Sequence, residues 1–248
     1  MKKYWPLILF VIGVLVLAAV FYFIARSTKE TSSPEEETEA VPEVALSQRP
    51  VASLTPSTDG HWLKMKIEKI EISAVSLDYE LLYTLPDGRT QGVPGSINLK
   101  TQQGLIDRDL LLGSESSGKF RYDEGVEQGT LTIKFRNEAG KLVAKFSSKF
   151  HLQQNTKSLS SVGGEIKVTL DKAPTKTFFV TMETFGIPAE TPQGFSKGPW
   201  GVFSSAKTKL AGSIEIGSAV VYKWDGAKWA KLSGGDSPDI GIFIGTSE

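Results

Sequence analysis

Residues 131–152 read LTIKFRNEAGKLVAKFSSKFHL, and this stretch decides the fold. Apolar and polar side chains alternate over residues 131–135 and again over residues 142–152. A period of two is typical of half-buried strands, because successive side chains of a strand point to opposite faces. The intervening Asn137-Glu138-Ala139-Gly140 has the composition of a turn. The stretch therefore predicts a long β-hairpin.

The same alternation recurs on both sides of the hairpin. From Val75 to Leu85 apolar residues alternate with polar ones, and Pro86-Asp87-Gly88 ends the run as a turn. No segment after His61 shows the apolar stripe of a long helix. Further short strands are predicted at Leu105 to Gly113, Lys119 to Tyr122, Glu165 to Leu170, Thr177 to Met182, Ser213 to Ile216, Ala219 to Trp224, Trp229 to Leu232 and Ile240 to Ile244. This spacing predicts an all-β fold with a β-sandwich region.

A polar stretch, Gln153 to Gly164, divides the strand-rich part of the chain. Each side has about 90 residues, the size of one immunoglobulin-like module. The sequence predicts two tandem immunoglobulin-like modules, residues 61–155 and 163–248. One larger sandwich that contains both halves is the alternative.

The N-terminal residues differ from this pattern. Residues 4–25 carry no charge and are mostly apolar. At about 1.5 Å per residue the run spans roughly 33 Å, enough for the hydrocarbon core of a bilayer. It predicts a single-pass transmembrane helix, a signal anchor in the lipid bilayer, with residues 1–3 as a cytoplasmic stub; a cleaved signal peptide is the alternative. Because Lys2 and Lys3 favour the inner side, the expected location is the plasma membrane, with the C-terminal body extracytoplasmic.

Residues 26–60 predict a disordered linker. The segment contains the acidic cluster Glu35-Glu36-Glu37 and no aromatic residue. Its prolines are Pro34, Pro42, Pro50 and Pro56. Such a composition buries too little apolar surface to offset the entropy of ordering the chain. A docking segment for a partner is the alternative.

Composition excludes several classes of function. The 248-residue chain has 28 Lys and Arg against 28 Asp and Glu, which argues against a nucleic-acid partner. It has no Cys, which excludes thiolate zinc sites and Cys nucleophiles. Its two His are too few for a His-rich metal site. The segment closest to a Gly-x-Ser-x-Gly nucleophile elbow, Gly113 to Gly118, has Glu115 in place of the serine. We therefore expect a protein that is not an enzyme and needs no cofactor.

Aromatic residues in the second half give a candidate ligand platform. Trp224 and Trp229 flank an Asp225-Gly226 turn and face each other across the predicted hairpin. The candidate platform consists of Trp200, Tyr222, Trp224 and Trp229. Exposed, these rings would bind the face of a sugar or a peptide; buried, they would form a cross-strand core pair.

Two pairs of carboxylates are candidates for a calcium site. Asp107 and Asp109 are two residues apart, so they share one face of a strand. Asp236 and Asp239 lie together near the last strand. Carboxylates and loop carbonyls are ligands that calcium accepts, whereas the simpler interpretation is a solvated edge or loop without metal.

The C-terminal stretch contains the hairpin Tyr222-Lys223-Trp224-Asp225-Gly226, then Trp229, then an apolar strand with Gly241 and Phe243. It resembles the last strands of bacterial membrane-anchored surface proteins built from β-sandwiches. In the first half, Tyr122 followed by the long hairpin resembles the immunoglobulin-like and fibronectin-type-III group. The resemblance is architectural and implies adhesion or scaffolding, with no catalytic residue to carry over.

Three functions are compatible with these observations. The leading hypothesis is a membrane-tethered extracytoplasmic β-sandwich protein that acts as a non-catalytic binding, adhesion or envelope-scaffolding module. Its partner would be an envelope protein or a glycan. The alternative is an accessory subunit of a membrane-embedded secretion or pilus-type complex. A cell-wall-acting hydrolase ranks third, because no catalytic site is recognisable.

Overall fold

The computed structural model describes residues 41–102 and 104–247, which fold around antiparallel sheets. The strands are β1 (Val51–Pro56), β2 (Trp62–Glu68), β3 (Ser76–Thr84), β4 (Thr90–Asn98), β5 (Ile106–Leu111), β6 (Gly113–Ser116), β7 (Lys119–Tyr122), β8 (Gln128–Arg136), β9 (Leu142–Gln154), β10 (Ser158–Ser160), β11 (Lys167–Leu170), β12 (Phe178–Glu183), β13 (Phe195–Ser204), β14 (Gly212–Glu215), β15 (Val220–Trp224), β16 (Trp229–Lys231), β17 (Asp236–Ser237) and β18 (Ile242–Thr246).

A nine-stranded sheet forms the centre, in the order β16-β15-β18-β13-β12-β9-β8-β3-β4. The predicted hairpin is confirmed as β8 and β9, with Ile133 opposite Phe146 and Phe135 opposite Ala144. Asn137 shapes its turn, because its side-chain oxygen accepts hydrogen bonds from the backbone N–H groups of Ala139 and Lys141. This is the local bonding that favours asparagine in turns.

Two small sheets cover opposite faces of the central sheet. The sheet β1-β2-β5 packs on one face and forms the first core, which includes Leu54, Met65 and Ile133. The sheet β10-β11-β14-β17 packs on the other face and forms the second core. Strand β12 contributes to both, since Val180 belongs to the first core and its neighbour Phe179 to the second. The alternation of side chains along one strand therefore joins the two cores.

The predicted fold class, a transmembrane helix and disordered linker followed by β-sandwich modules, is wrong as an account of this structure. The described residues are all-β and sandwich-like, with one 3₁₀ turn at Leu46–Gln48 besides the strands. Among residues 41–102 and 104–247, no helix is long and apolar enough to cross a membrane. Residues 1–3 and the helix predicted at residues 4–25 lie outside the described residues.

The predicted linker, residues 26–60, extends too far along the chain. Strand β1 lies within it, and its side chains Val51, Ala52 and Leu54 are buried. The strand is hard to recognise in the sequence because Pro50 precedes it and Pro56 ends it. Proline is tolerated there because β1 is an edge strand.

The central sheet contains strands from both sides of the polar stretch that separates the two predicted modules. Strand β9 pairs with β12, with Leu152 opposite Val180 and Phe150 opposite Met182. Residues 61–155 and 163–248 therefore contribute neighbouring strands to one sheet. Whether each half folds separately stays a prediction.

One connection positions the candidate functional site. Strand β5 continues through Leu112 and Gly113 into the β6–β7 hairpin, a separate two-stranded sheet. The Leu112 N–H donates to the carbonyl of His61 at 2.8 Å, and the Asp123 N–H donates to the carbonyl of Leu112 at 3.0 Å. These bonds hold the start of β2 beside the end of β7. Gly113 is required at the junction, because its φ is 151° and a Cβ there would meet the carbonyl oxygen of Arg121.

Candidate functional site: an aromatic row beside an acidic cleft

An exposed aromatic face lies on strand β7. Phe120 and Tyr122 are two residues apart, so both side chains point to the same face of the hairpin. Their rings are parallel within 7°, with centroids 6.2 Å apart. Phe120 is 46% exposed and Tyr122 is 38% exposed. Large rings with this exposure on one strand form an apolar surface that a folding core does not explain.

Two residues at the start of β2 extend this face into a row of four rings. The His61 ring stacks on Tyr122 with centroids 4.1 Å apart and planes 12° apart. Trp62 meets Phe120 edge to face at 5.6 Å and 71°. We call His61, Trp62, Phe120 and Tyr122 the aromatic row. Such contacts contribute about 0.5–1.5 kcal/mol each beyond the burial of area, so they fix the rings relative to one another.

The two faces of the β6–β7 hairpin differ in charge. Glu115 pairs with Phe120 across the hairpin, and directly opposite residues share a face. Lys119 and Arg121 pair with Ser116 and Ser114, so they lie on the other face. The face that carries the aromatic row thus also carries the acidic Glu115. The basic residues of the hairpin, Lys119 and Arg121, lie on the opposite face.

A cleft of about 370 Å³ adjoins the row, and His61 belongs to both. Both histidines of the chain, His61 and His151, line this cleft. Its acidic residues are Asp59, Asp123, Glu124 and Glu127. None of the described residues that line this cleft is a lysine or an arginine. We call it the acidic cleft.

Two hydrogen bonds favour the ionised form of Asp59, which lines the acidic cleft. The Ser57 hydroxyl donates to Asp59 Oδ1 at 2.5 Å, and the His61 N–H donates to the same oxygen at 3.1 Å. The bond from Ser57 is the main reason that the pKa of Asp59 lies below its usual range, with the His61 N–H adding to it. Asp59 is exposed, so its charge faces solvent and any ligand.

Asp123 is fixed from the first core. The buried Tyr83 donates its hydroxyl to Asp123 Oδ2 at 2.8 Å. Burial raises the pKa of Tyr83, and the hydrogen bond to Asp123 raises it further, so the hydroxyl keeps its proton. The bond fixes the carboxylate of Asp123, which lines the acidic cleft.

His151 is held from the opposite small sheet. Its Nδ1 lies 2.8 Å from the carbonyl oxygen of Ser160 in β10. A carbonyl only accepts, so Nδ1 carries the proton in this contact. The ring is half-buried and therefore forms part of the wall of the acidic cleft.

The predicted Trp platform is only partly assembled. Trp224 and Trp229 pair across β15 and β16, with an edge-to-face contact at 5.3 Å and 63°. Trp229 also donates from Nε1 to the carbonyl of Ala189 at 3.4 Å. Both tryptophans and Tyr222 are half-buried. Because they are half-buried, these three rings expose less surface to a ligand than an open platform would.

Trp200 lies on the other face of the central sheet. It pairs with Phe243 in β18, and Phe243 pairs in turn with Lys223 in β15. Trp200 therefore shares the face of Lys223, while Tyr222 and Trp224 alternate to the opposite face. It packs against the second core, away from the Trp224–Trp229 pair. The sequence could not show this, because the pairing is long-range.

The predicted calcium ligands have other partners. Asp107 and Asp109 do share a face, but Lys64 Nζ lies between them at 3.0 Å and 2.9 Å. The pKa of Lys64 is raised, mainly by its hydrogen bond to Asp109 and next by the one to Asp107. The Lys64 ammonium therefore occupies the position between the two carboxylates that a calcium ion would take. Asp239 Oδ1 accepts the N–H groups of Leu210 and Ile240, each at 2.9 Å.

The other predicted calcium ligand, Asp236, is exposed in β17. Within the part of the chain that the structure describes, no group of three or more His, Asp or Glu side chains could hold a metal ion.

The aromatic row could not be predicted from the sequence, because it depends on long-range strand pairing. Its two halves, residues 61–62 and 120–122, meet only because β5 returns the chain to the start of β2. The alternation of Phe120 and Tyr122 with Lys119 and Arg121 was the available signal, since it predicts two rings on one face.

The row and the cleft combine exposed rings with fixed carboxylates. Exposed rings supply contact area, and a fixed carboxylate supplies orientation. The cleft volume of about 370 Å³ lies at the small end of the range of ligand pockets. No protein-family model, no curated protein and no solved structure matches this chain.

Proposed function

We propose that this chain is a non-catalytic binding module and that it binds through the aromatic row and the acidic cleft. The observation that supports this most directly is the exposure of Phe120 and Tyr122 on a hairpin that both cores leave uncovered. The ring contacts within the row leave much of both side chains exposed, and a partner that covers this surface gains apolar burial. The partner would be an envelope protein or a glycan.

The proposed location is the extracytoplasmic side of a plasma membrane. Its support comes from the sequence alone: the uncharged apolar residues 4–25, the preceding Lys2 and Lys3, and the resemblance to bacterial surface proteins with immunoglobulin-like sandwiches. Protease added to intact cells should cleave the body of the protein. A body that stays protected until the cells are lysed would place it inside and remove this part of the proposal.

Envelope binding by the purified full-length chain tests the proposed function. Phe120→Ala and Tyr122→Ala should each reduce the amount bound to an envelope fraction, because each removes a partly exposed ring whose free surface a partner can cover. Leu105→Ala is the matched control, since Leu105 is 48% exposed but lies at the opposite end of β5. Circular dichroism should show all three variants folded.

If Phe120→Ala and Tyr122→Ala bind the envelope fraction as well as the unmodified chain, the row is not the binding site. If the Leu105→Ala control loses binding to the same extent, the effect is a general loss of apolar surface. Either result would overturn the proposal.

A further inference from the structure

We propose that the ligand of the aromatic row and the acidic cleft is an extended polypeptide segment with basic side chains at alternate positions. This inference rests on the proposed function and specifies its partner. It commits to a peptide that carries lysine or arginine. A glycan and an acidic ligand are outcomes of the test.

Charge is the first argument. The acidic cleft presents carboxylates from Asp59 and Asp123 and lacks a basic side chain among its described lining residues. Asp59 stays ionised because the Ser57 hydroxyl lowers its pKa. A concave surface lined by one sign of charge concentrates ligands of the opposite sign. A cationic group is therefore favoured and an anionic one is repelled.

The aromatic rings point to the same kind of ligand. Arginine and lysine side chains bind over the faces of aromatic rings, and arginine does so more often. Phe120 and Tyr122 are both partly exposed, and Tyr122 directly precedes Asp123 of the acidic cleft. The remaining acidic residue of this face, Glu115, stands opposite Phe120 on β6. An arginine side chain over one of these rings would therefore lie on the same surface as a carboxylate that can pair with its guanidinium.

The spacing of the rings fits an extended polypeptide. The centroids of Phe120 and Tyr122 are 6.2 Å apart. In an extended chain, side chains on one face repeat every two residues, or about 6.6 Å. An extended peptide alongside β7 would place alternate side chains over successive rings.

The hairpin also offers main-chain partners. Within the described part of the chain, β6 and β7 form a sheet of only two strands, so β7 keeps one edge outside the ladder. Extended peptides bind such edges by adding a strand. Lys119 and Arg121 lie on the face away from the row, where they oppose docking of the same basic peptide on the wrong side.

A peptide titration tests the proposal on the purified full-length chain. The probe is a fluorescent twelve-residue peptide with arginine alternating with serine, followed by anisotropy. Two comparison peptides replace arginine by glutamate or by glutamine. The arginine peptide should bind, the other two should not, and raising the salt concentration from 50 to 300 mM should weaken binding severalfold, because exposed charges are screened.

Variants locate the binding. Phe120→Ala should weaken the arginine peptide about twofold to fivefold, as expected for one exposed cation–π contact. Asp59→Asn and Asp123→Asn should each weaken it and reduce the salt dependence. Glu215→Gln, which removes an exposed carboxylate on β14, is the matched control and should have no effect. Lys119→Gln should leave binding unchanged or strengthen it.

The outcomes separate this inference from the proposed function. If Phe120→Ala loses envelope binding but the arginine peptide does not bind, the binding module stands and a basic peptide is not its ligand. Displacement of the envelope fraction by soluble peptidoglycan glycan, with no effect of the arginine peptide, would assign the row to a glycan. Equal binding of the glutamate and arginine peptides, or of Asp59→Asn, Asp123→Asn and the unmodified chain, would also overturn the inference.

Discussion

The hydroxyl of Tyr83 donates a hydrogen bond to Asp123 Oδ2 at 2.8 Å, and this bond joins the first core to the acidic cleft. The Tyr83 ring is buried among the residues of that core, whereas Asp123 lines the cleft. A residue that packs the core thus also sets the position of a carboxylate that we assign to ligand binding.

Tyr83→Phe separates the two roles, because it removes the hydroxyl and keeps the ring. We expect a loss of about 1 kcal/mol in the free energy of unfolding, the usual net contribution of one hydrogen bond. Binding of the arginine peptide should weaken as well, since Asp123 loses its fixed position. Denaturant unfolding and the anisotropy titration measure the two effects. A variant with unchanged peptide affinity would show that the bond serves stability alone.

Tyr83 also makes stability depend on pH in alkaline solution. The pKa of Tyr83 is raised in the folded protein above its ordinary value of 10.0, chiefly by burial. A raised pKa means that the folded state holds the proton more tightly, so this stabilisation is present below pH 10 and is lost as the pH rises above it. The unfolding free energy should fall as the pH rises above 10, and less in Tyr83→Phe. Parallel curves for the two proteins would contradict this assignment.

Gly129 is required by close backbone packing in the central sheet. A Cβ at this position would meet the carbonyl oxygen of Leu82 and the ring of Phe150. Gly129→Ala should therefore destabilise the protein by about 1–3 kcal/mol, the range for overpacking a core. Thermal unfolding measures the change.

Gly92→Ala is the control for Gly129→Ala. A Cβ at Gly92 would meet only the tip of the Leu82 side chain, at 3.1 Å, and that side chain is free to move because it is 37% exposed. We expect its effect to stay within about 0.5 kcal/mol, as for most surface substitutions. Equal effects of the two variants would show that the contact with the Leu82 carbonyl is not the cause.

Strand β12 couples the two cores, because Phe179 packs in the second and Val180 in the first. Phe179→Ala should cost about 3–5 kcal/mol, as for other buried aromatic residues. If the shared sheet makes unfolding cooperative, amide protons of β3 and of β15 should lose protection together. Hydrogen exchange measures both in one experiment. Destabilisation confined to the second core would show that the predicted modules, residues 61–155 and 163–248, unfold separately.

Local pattern predicts the strands well and their partners poorly. The alternation over residues 131–152 is enough to predict β8 and β9, since a hairpin pairs neighbours in the chain. It cannot place β12 beside β9 or β18 between β13 and β15, because those registers depend on contacts between distant residues. The same limit hides the aromatic row, whose rings come from β2 and β7. It also hides β1, where Pro50 and Pro56 favour the prediction of a linker.

Trp229→Ala distinguishes the aromatic row from the tryptophan platform predicted from the sequence. The substitution removes the edge-to-face contact with Trp224 and the bond from Nε1 to Ala189. Because Trp229 is half-buried between these partners, we expect a loss of about 1–3 kcal/mol in stability with envelope binding retained. Unfolding and the envelope assay, with Phe120→Ala in parallel, provide the measurement. A folded Trp229→Ala that loses binding while Phe120→Ala retains it would assign recognition to the β15–β16 hairpin. Retained binding in Trp229→Ala with lost binding in Phe120→Ala would support the aromatic row. We expect this result, because Phe120 has more exposed surface for a partner to cover.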